Sequence, residues 1–250
     1  MPRIFLILGL ATAAVFGGLF YQYHEQQQEA AQLEQYQQVL YEKTDLIYAQ
    51  AKDWNTPIEV DVSDPRLQGD YQVMANFVLS QMIQSAEARN AYLRELKAIH
   101  WDEFLNIERL SKDKKNDYQE TDLMLQQAHA LATEYQVTIE QAQQNALEQA
   151  KQLPIQSRYR HQLAENLRES AKQNEALALF EIEKQILEKA DEIFAVLKNN
   201  RWQNKNNTFM FYEDAPLKQF NALYQQVLDL NVQLQKVQRQ NQKALEQKHD

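Results

Sequence analysis

The sequence contains no cysteine, which excludes a disulfide framework, a thiol nucleophile and a lipid-modified cysteine. Glycine is nearly absent as well: the chain has four, and Gly9, Gly17 and Gly18 all lie in its N-terminal apolar segment. Glycine weakens helices because it loses more conformational freedom on folding than any other residue. Its scarcity after the apolar segment therefore predicts a strongly helical chain.

Positive charges are also fewer than negative ones: the chain has 26 Lys and Arg and 35 Asp and Glu, for a formal net charge of −9. Phosphate binding requires a basic surface, so this balance argues against nucleic acid as a partner and against tight adsorption to anionic lipid. Charged residues make up 24% of the chain and apolar residues 44%. That composition favours long, solvated, packed helices over disorder.

Sequence motifs for catalysis are missing. The chain has no Gly-rich phosphate loop, no Gly-x-Ser-x-Gly and no His-Glu-x-x-His. His161 and Glu165 are one helical turn apart, but a metal site there would need ligands from a second helix, so a solvated pair is expected instead. We predict no enzyme activity, no cofactor and no metal.

A long apolar run occupies residues 4–23 and carries no Asp, Glu, Lys, Arg or His. A helix needs roughly 20 such residues to cross the hydrocarbon core of a bilayer. A cleaved signal peptide is the alternative, but cleavage at Ala11-Thr12-Ala13 would leave an apolar region of only about seven residues. Tyr21 and Tyr23 place aromatic rings where the membrane interface would lie. We expect an uncleaved anchor, and cleavage stays open as the alternative.

The charges that flank this run predict its orientation. Arg3 precedes it, whereas the next basic side chain with a permanent charge is Lys43. The positive-inside rule then places the N-terminus in the cytoplasm. Residues 1–23 are thus predicted to form a short cytoplasmic tail and a transmembrane signal-anchor. Residues 24–250 would form an extracytoplasmic bundle, held by a single pass through a bacterial inner membrane.

Prolines and the last glycine divide the remaining chain into five long helical stretches. The predicted stretches cover residues 24–54, 70–110, 118–153, 158–199 and 216–250. The third and fifth show apolar residues at alternating steps of three and four, the pattern of a heptad seam. Asp117 and Glu120 are expected to form a capping box at the start of the third.

The predicted fold class is all-α: an N-terminal transmembrane helix, then an elongated antiparallel bundle of about five long helices with a short hairpin-like connector. That connector, between the fourth and fifth stretches, concentrates four rings: Trp202, Phe209, Phe211 and Tyr212. Two interpretations are open, because the rings either cap one end of the bundle or form a docking surface for a partner or for the bilayer interface. The connector would lie on the membrane side if Pro154 marks a helix reversal, and at the distal end if it marks a kink.

The run FAVLKNNRWQNKNNTFMFYEDAPLKQFNALYQQVLDLNVQLQKVQRQ resembles the C-terminal part of the YiaF-like family of bacterial envelope proteins. In that family a helix end, a polar turn, a short extended piece and a glutamine-rich helix follow in this order. The earlier LEQAKQLPIQSRY is similar to a Pro-containing turn of the same family. The resemblance implies an envelope location and an elongated helical fold, and it transfers no activity. Members carry a lipoprotein cysteine, which this chain lacks, so its anchoring is expected to differ.

Together these features predict a membrane-tethered, periplasmic interaction or scaffold protein whose partners are the lipid bilayer, through residues 4–23, and another envelope protein. A ligand-sensing helical bundle is one alternative, although such receptors usually need a second span or an output domain. A membrane-anchored chaperone for a secreted client is the other, and only the client would distinguish it from a scaffold.

The anchor prediction has a direct test. If residues 4–23 are retained, the mature protein should fractionate with the inner membrane, resist carbonate extraction and keep its leader by intact-mass measurement. A soluble product that begins near Ala14 or Gly18 would contradict it.

Overall fold

The computed structural model describes residues 27–172 and 175–246, and over these residues the chain is mostly helical, as the sequence predicts. One two-stranded antiparallel sheet departs from a purely α-helical class. The elements are α1 (Gln27–Ala51), α2 (Gly69–Ala98), α3 (Ile107–Asp113), α4 (Gln119–Gln152), α5 (Ser157–Lys172), α6 (Glu175–Asn199), β1 (Trp202–Lys205), β2 (Thr208–Phe211) and α7 (Asp214–Glu246).

No helix within these ranges is long and apolar enough to cross a membrane. The predicted anchor at residues 4–23 lies outside the described residues.

The chain divides into two compact units. The first, which we call the hairpin unit, comprises residues 94–134 and 177–240. The second unit comprises the described residues of 27–93, 135–176 and 241–246. The prediction of a single elongated bundle over residues 24–250 stays a prediction.

The second unit is built on α1, α2, α5 and the C-terminal half of α4, with the segment between α1 and α2 folded onto them. Ile58 and Leu67 of that segment are buried in the same core as Tyr36 and Leu79. Hydrogen bonds hold the segment down, because Gln50 bonds both the N–H and the carbonyl of Glu59. Ile58, Val60 and Val62 alternate along this segment and pack on the core, and the structure assigns the segment to no strand.

The second predicted helix, over residues 70–110, is wrong in its length. The observed helix, α2, ends at Ala98, and His100 adopts a left-handed conformation with φ 57°. A new helix, α3, then begins behind Asn106, whose side chain accepts hydrogen bonds from the N–H groups of Glu108 and Arg109. Asparagine at an N-cap satisfies backbone donors that the helix itself leaves unpaired.

The third predicted helix is correct to within a residue or so, because α4 ends at Gln152 and Pro154 lies between helices. Proline disfavours helical geometry in the residue before it and lacks an N–H of its own. The fourth predicted helix is described as α5 and α6, and residues 173 and 174 between them are not described.

Both predicted seams are largely buried. In α4 the buried seam residues are Thr121, Leu125, Ala128, Ala132, Tyr135 and Ala146. In α7 they are Phe220, Leu223, Val227, Leu230 and Leu234. Ile139, in contrast, is only half-buried. The core of the hairpin unit also takes Ile186, Ile193 and Leu197 from α6.

Two valines of α7 provide a matched test of this core, since Val227 is 1% exposed and Val232 is 63% exposed. Val227→Asp should destabilise the protein by about 3–5 kcal/mol, because the carboxylate would be buried without a partner. Val232→Asp, the same change on the same helix, should stay within about 0.5 kcal/mol of the parent. Chemical denaturation of both variants measures the difference, and equal effects would mean that the buried face of α7 is misassigned.

Candidate functional site

The aromatic connector folds into a β-hairpin. Asn206 and Asn207 form its two-residue turn, with φ of 52° and 60°. Positive φ at both positions is the requirement of a type I′ turn, and asparagine tolerates it better than most residues. The side chain of Asn204 accepts a hydrogen bond from the Asn207 N–H at 3.0 Å. Local turn chemistry is therefore sufficient to close the hairpin.

The pairing of the strands gives the hairpin two different faces. Trp202 pairs with Phe211 and Gln203 with Met210, so alternate side chains point to opposite sides. On the inner face Trp202 is 3% exposed, and Phe209 and Phe211 are each 8% exposed.

These inner rings pack against α7. The ring centroids of Phe209 and Phe211 lie 5.0 and 5.6 Å from that of Phe220. Trp202 meets Phe209 edge-on at 5.0 Å. Contacts of this geometry add to the stabilisation that comes from burial alone.

The Trp202 indole is fixed by hydrogen bonds inside the hairpin unit. Its Nε1–H donates to the Tyr118 hydroxyl at 2.9 Å and to the Leu197 carbonyl at 3.0 Å. The Tyr118 hydroxyl donates to the same carbonyl at 3.1 Å. Burial raises the pKa of Tyr118, although the bond from Trp202 partly offsets this effect. The neutral phenol is therefore the form that the fold favours.

Tyr118 reaches this position because the chain turns sharply before α4. Asp117 and Tyr118 both have positive φ, at 56° and 60°. The predicted capping box of Asp117 and Glu120 is wrong, because the carboxylate that caps α4 is that of Asp113. It accepts hydrogen bonds from the Glu120 N–H at 3.1 Å, from the Thr121 N–H at 2.8 Å and from the Thr121 hydroxyl at 2.6 Å.

Arg109 ties this turn to the preceding loop. Its guanidinium donates to the carbonyls of Glu103 and Phe104 and to the Thr121 hydroxyl. The same group lies 3.3 Å from Glu120 and 3.9 Å from Asp113. Arg109 thus neutralises the carboxylate that caps α4 while it closes the loop, and its donors are used for folding.

The structure separates the four rings that the sequence singles out. Trp202, Phe209 and Phe211 lie inside the hairpin unit, whereas Tyr212 is 60% exposed. Only Tyr212 among the four offers its ring to a partner. Sequence alternation in the run from Thr208 to Phe211 was the signal that could have separated the two faces, because β2 alternates between exposed and buried residues.

Side chains with catalytic potential do not converge on a site in the described residues. Ser157 Oγ lies 3.3 Å from His161 Nδ1, but that nitrogen also lies 2.7 Å from the Ser157 carbonyl oxygen. A carbonyl can only accept, so Nδ1 carries the proton and cannot act as the base for the serine. His129 pairs with Asp191 at 2.7 Å on an exposed surface. No group of three or more potential metal ligands occurs in the described ranges.

Two isosteric substitutions test which carboxylate caps α4. Asp113→Asn should cost about 1–3 kcal/mol, because the amide cannot accept all three hydrogen bonds at a site that is 3% exposed. Asp117→Asn should change stability little, since asparagine also tolerates positive φ and Asp117 is exposed. Urea unfolding of the two variants measures both effects, and a larger loss at position 117 would restore the capping box.

Comparison of the chain with protein-family models, with curated proteins and with solved structures found no match. No relative therefore supplies a role for the hairpin.

Proposed function

We propose that this chain is a membrane-tethered helical interaction protein of the bacterial envelope, with residues 4–23 as its anchor and residues 24–250 outside the cytoplasm. The observation that carries the proposal is the uncharged apolar run itself, which is long enough to span the hydrocarbon core and is preceded by Arg3. Such a tether confines the helical units to the membrane surface, where a scaffold would act.

A non-enzymatic role is supported by how polar side chains in each of the two units are used. Asp113, Arg109 and Thr121 satisfy backbone groups and one another in a loop. The Ser157–His161 pair lacks the proton arrangement of a nucleophile with its base. These polar groups thus serve the fold, which is the arrangement expected of a scaffold.

Kinship with the YiaF-like family is part of the same proposal. In residues 194–240 the helix α6 ends, a polar turn and two short strands follow, and the glutamine-rich helix α7 begins. The resemblance in sequence over this run carries this part of the proposal, and it would place the protein in the envelope.

The absence of cysteine allows a direct test of topology, because a single introduced thiol is then the only one in the chain. Thr208→Cys, at an exposed position, should react with a membrane-impermeant maleimide in intact spheroplasts. Pro2→Cys should react only after lysis, since the N-terminus is assigned to the cytoplasm. Reaction of both variants, or of neither, in intact spheroplasts would contradict the proposed topology.

A further inference from the structure

The outer face of the hairpin carries positive charge next to an aromatic ring. We define it as the side chains that alternate with the buried ones along both strands and their flanks: Arg201, Gln203, Lys205, Thr208, Met210 and Tyr212. All six are exposed. The face carries two cations and no carboxylate, in a chain whose net charge is −9.

The side chains of the outer face are held together by contacts with one another. The Tyr212 hydroxyl donates to Gln203 Oε1 at 3.2 Å, and Gln203 Nε2 donates to the Met210 sulfur at 3.3 Å. The Arg201 guanidinium lies over the Tyr212 ring at 5.0 Å. These contacts fix an aromatic ring, a thioether and a guanidinium in one exposed layer, which lowers the entropic cost of binding by that layer.

Further positive charge borders this face at the edge of β1. The Lys114 ammonium donates to the Trp202 carbonyl at 2.6 Å and lies 4.7 Å from the centre of the Trp202 ring. Burial, and after it the charge of Arg201, lowers the pKa of Lys114. Lys112 and Lys115 of the same turn are exposed. An anion bound near Lys114 and Arg201 would relieve the repulsion between these two cations.

We propose that the outer face of the hairpin docks on anionic lipid headgroups, with Arg201 and Lys205 at the phosphates and with Tyr212 and Met210 at the interface. The inference rests on the proposed function, because the tether at residues 4–23 supplies the high effective concentration that a small surface needs. Tyrosine and long cationic side chains favour the interface, where one end is apolar and the other is wet. Solvent ions screen exposed charges that lie farther away than about 10 Å, so of the chain's negative charge the nearby carboxylates, such as the exposed Glu213 and Asp214 after Tyr212, are the ones that oppose docking.

An acidic protein segment is the competing occupant, and the geometry favours it less. A peptide that added a strand would need a free edge, but at the edge of β1 the Trp202 carbonyl already accepts from Lys114. A stable protein interface takes about 20–30 residues from each side, whereas this face has six. Lipid adsorption has no such size requirement.

The test uses the full-length chain in vesicles, with Thr208→Cys carrying an environment-sensitive fluorophore. Vesicles of phosphatidylcholine, alone or mixed with phosphatidylglycerol, also contain a lipid with a nitroxide on its headgroup. Quenching of the fluorophore should rise when phosphatidylglycerol is present. A label on Gln226→Cys, an exposed position about 18 Å along α7 from its first residue, should show no such dependence.

Charge variants locate the effect on the outer face. Arg201→Gln with Lys205→Gln should lower the equilibrium constant for docking on phosphatidylglycerol, as read from the quenching, by about tenfold or more. Lys236→Gln with Arg239→Gln, which removes the same charge from exposed positions of α7, should leave it unchanged. Circular dichroism spectra identical to that of the parent would show that both double variants fold.

The outcomes separate the docking from the tether. Flotation of the vesicles in a density gradient measures whether the chain is bound to them at all. If the chain floats with both kinds of vesicle but quenching of its label does not depend on phosphatidylglycerol, the docking is wrong and the tether stands. If it floats only with phosphatidylglycerol, and Arg201→Gln with Lys205→Gln abolishes this, the docking stands and the tether is wrong. Floating with neither refutes both. If a polyglutamate peptide but not the anionic vesicles shields the label from an aqueous quencher, the occupant is an acidic protein segment and the lipid proposal is overturned.

Discussion

The buried carboxylate of Asp113 is the interaction on which the hairpin unit depends. A carboxylate removed from water is costly unless hydrogen bonds and an opposite charge compensate for the lost hydration. Asp113 obtains both, since two backbone N–H groups and the Thr121 hydroxyl donate to it and Arg109 lies 3.9 Å away. The helix gains in return, because those two N–H groups belong to the first turn of α4 and have no partner within the helix. Both requirements are met only when the chain turns back sharply between Asp113 and α4.

That sharp turn determines where the hairpin sits. It places Asp117 and Tyr118 at positive φ, which tilts the Tyr118 side chain into the core, where its hydroxyl meets the Leu197 carbonyl and the Trp202 indole. Trp202 begins β1, so its position fixes which face of the hairpin is buried against Phe220 of α7. Since side chains alternate along a strand, the opposite face must then point outward. The capping interaction at α4 therefore determines which face of the hairpin points outward, although it lies on a different part of the chain.

Sequence periodicity predicted the parts of the fold that depend on local repetition. The seams of α4 and α7 were found because burial along a helix recurs every three or four residues, and the connector was predicted to be hairpin-like because its polar centre, residues 203–207, has the composition of a turn. The break after Ala98 was missed, since no proline or glycine marks it and His100 must adopt a left-handed conformation; Asn106 was a usable N-cap signal. The cap by Asp113 was missed because it lies four residues farther from α4 than the capping-box rule considers. For the site, ring content identified the connector but could not separate the buried rings from Tyr212, which required strand pairing.

The cations of this protein differ in whether a carboxylate pairs with them, and those of the outer face are unpaired in the part of the chain that the structure describes. On the helices many lysines and arginines pair with a glutamate three residues away, as Lys151 does with Glu148 and Lys189 with Glu192. Exposed pairs of this kind contribute little to stability, but they cancel the local field of the cation. Arg201 and Lys205 have no carboxylate partner within the described residues, and Arg201 instead stacks on Tyr212. Cations without an ion-pair partner are available to an external anion, and in a chain of net negative charge this is a local property of the hairpin.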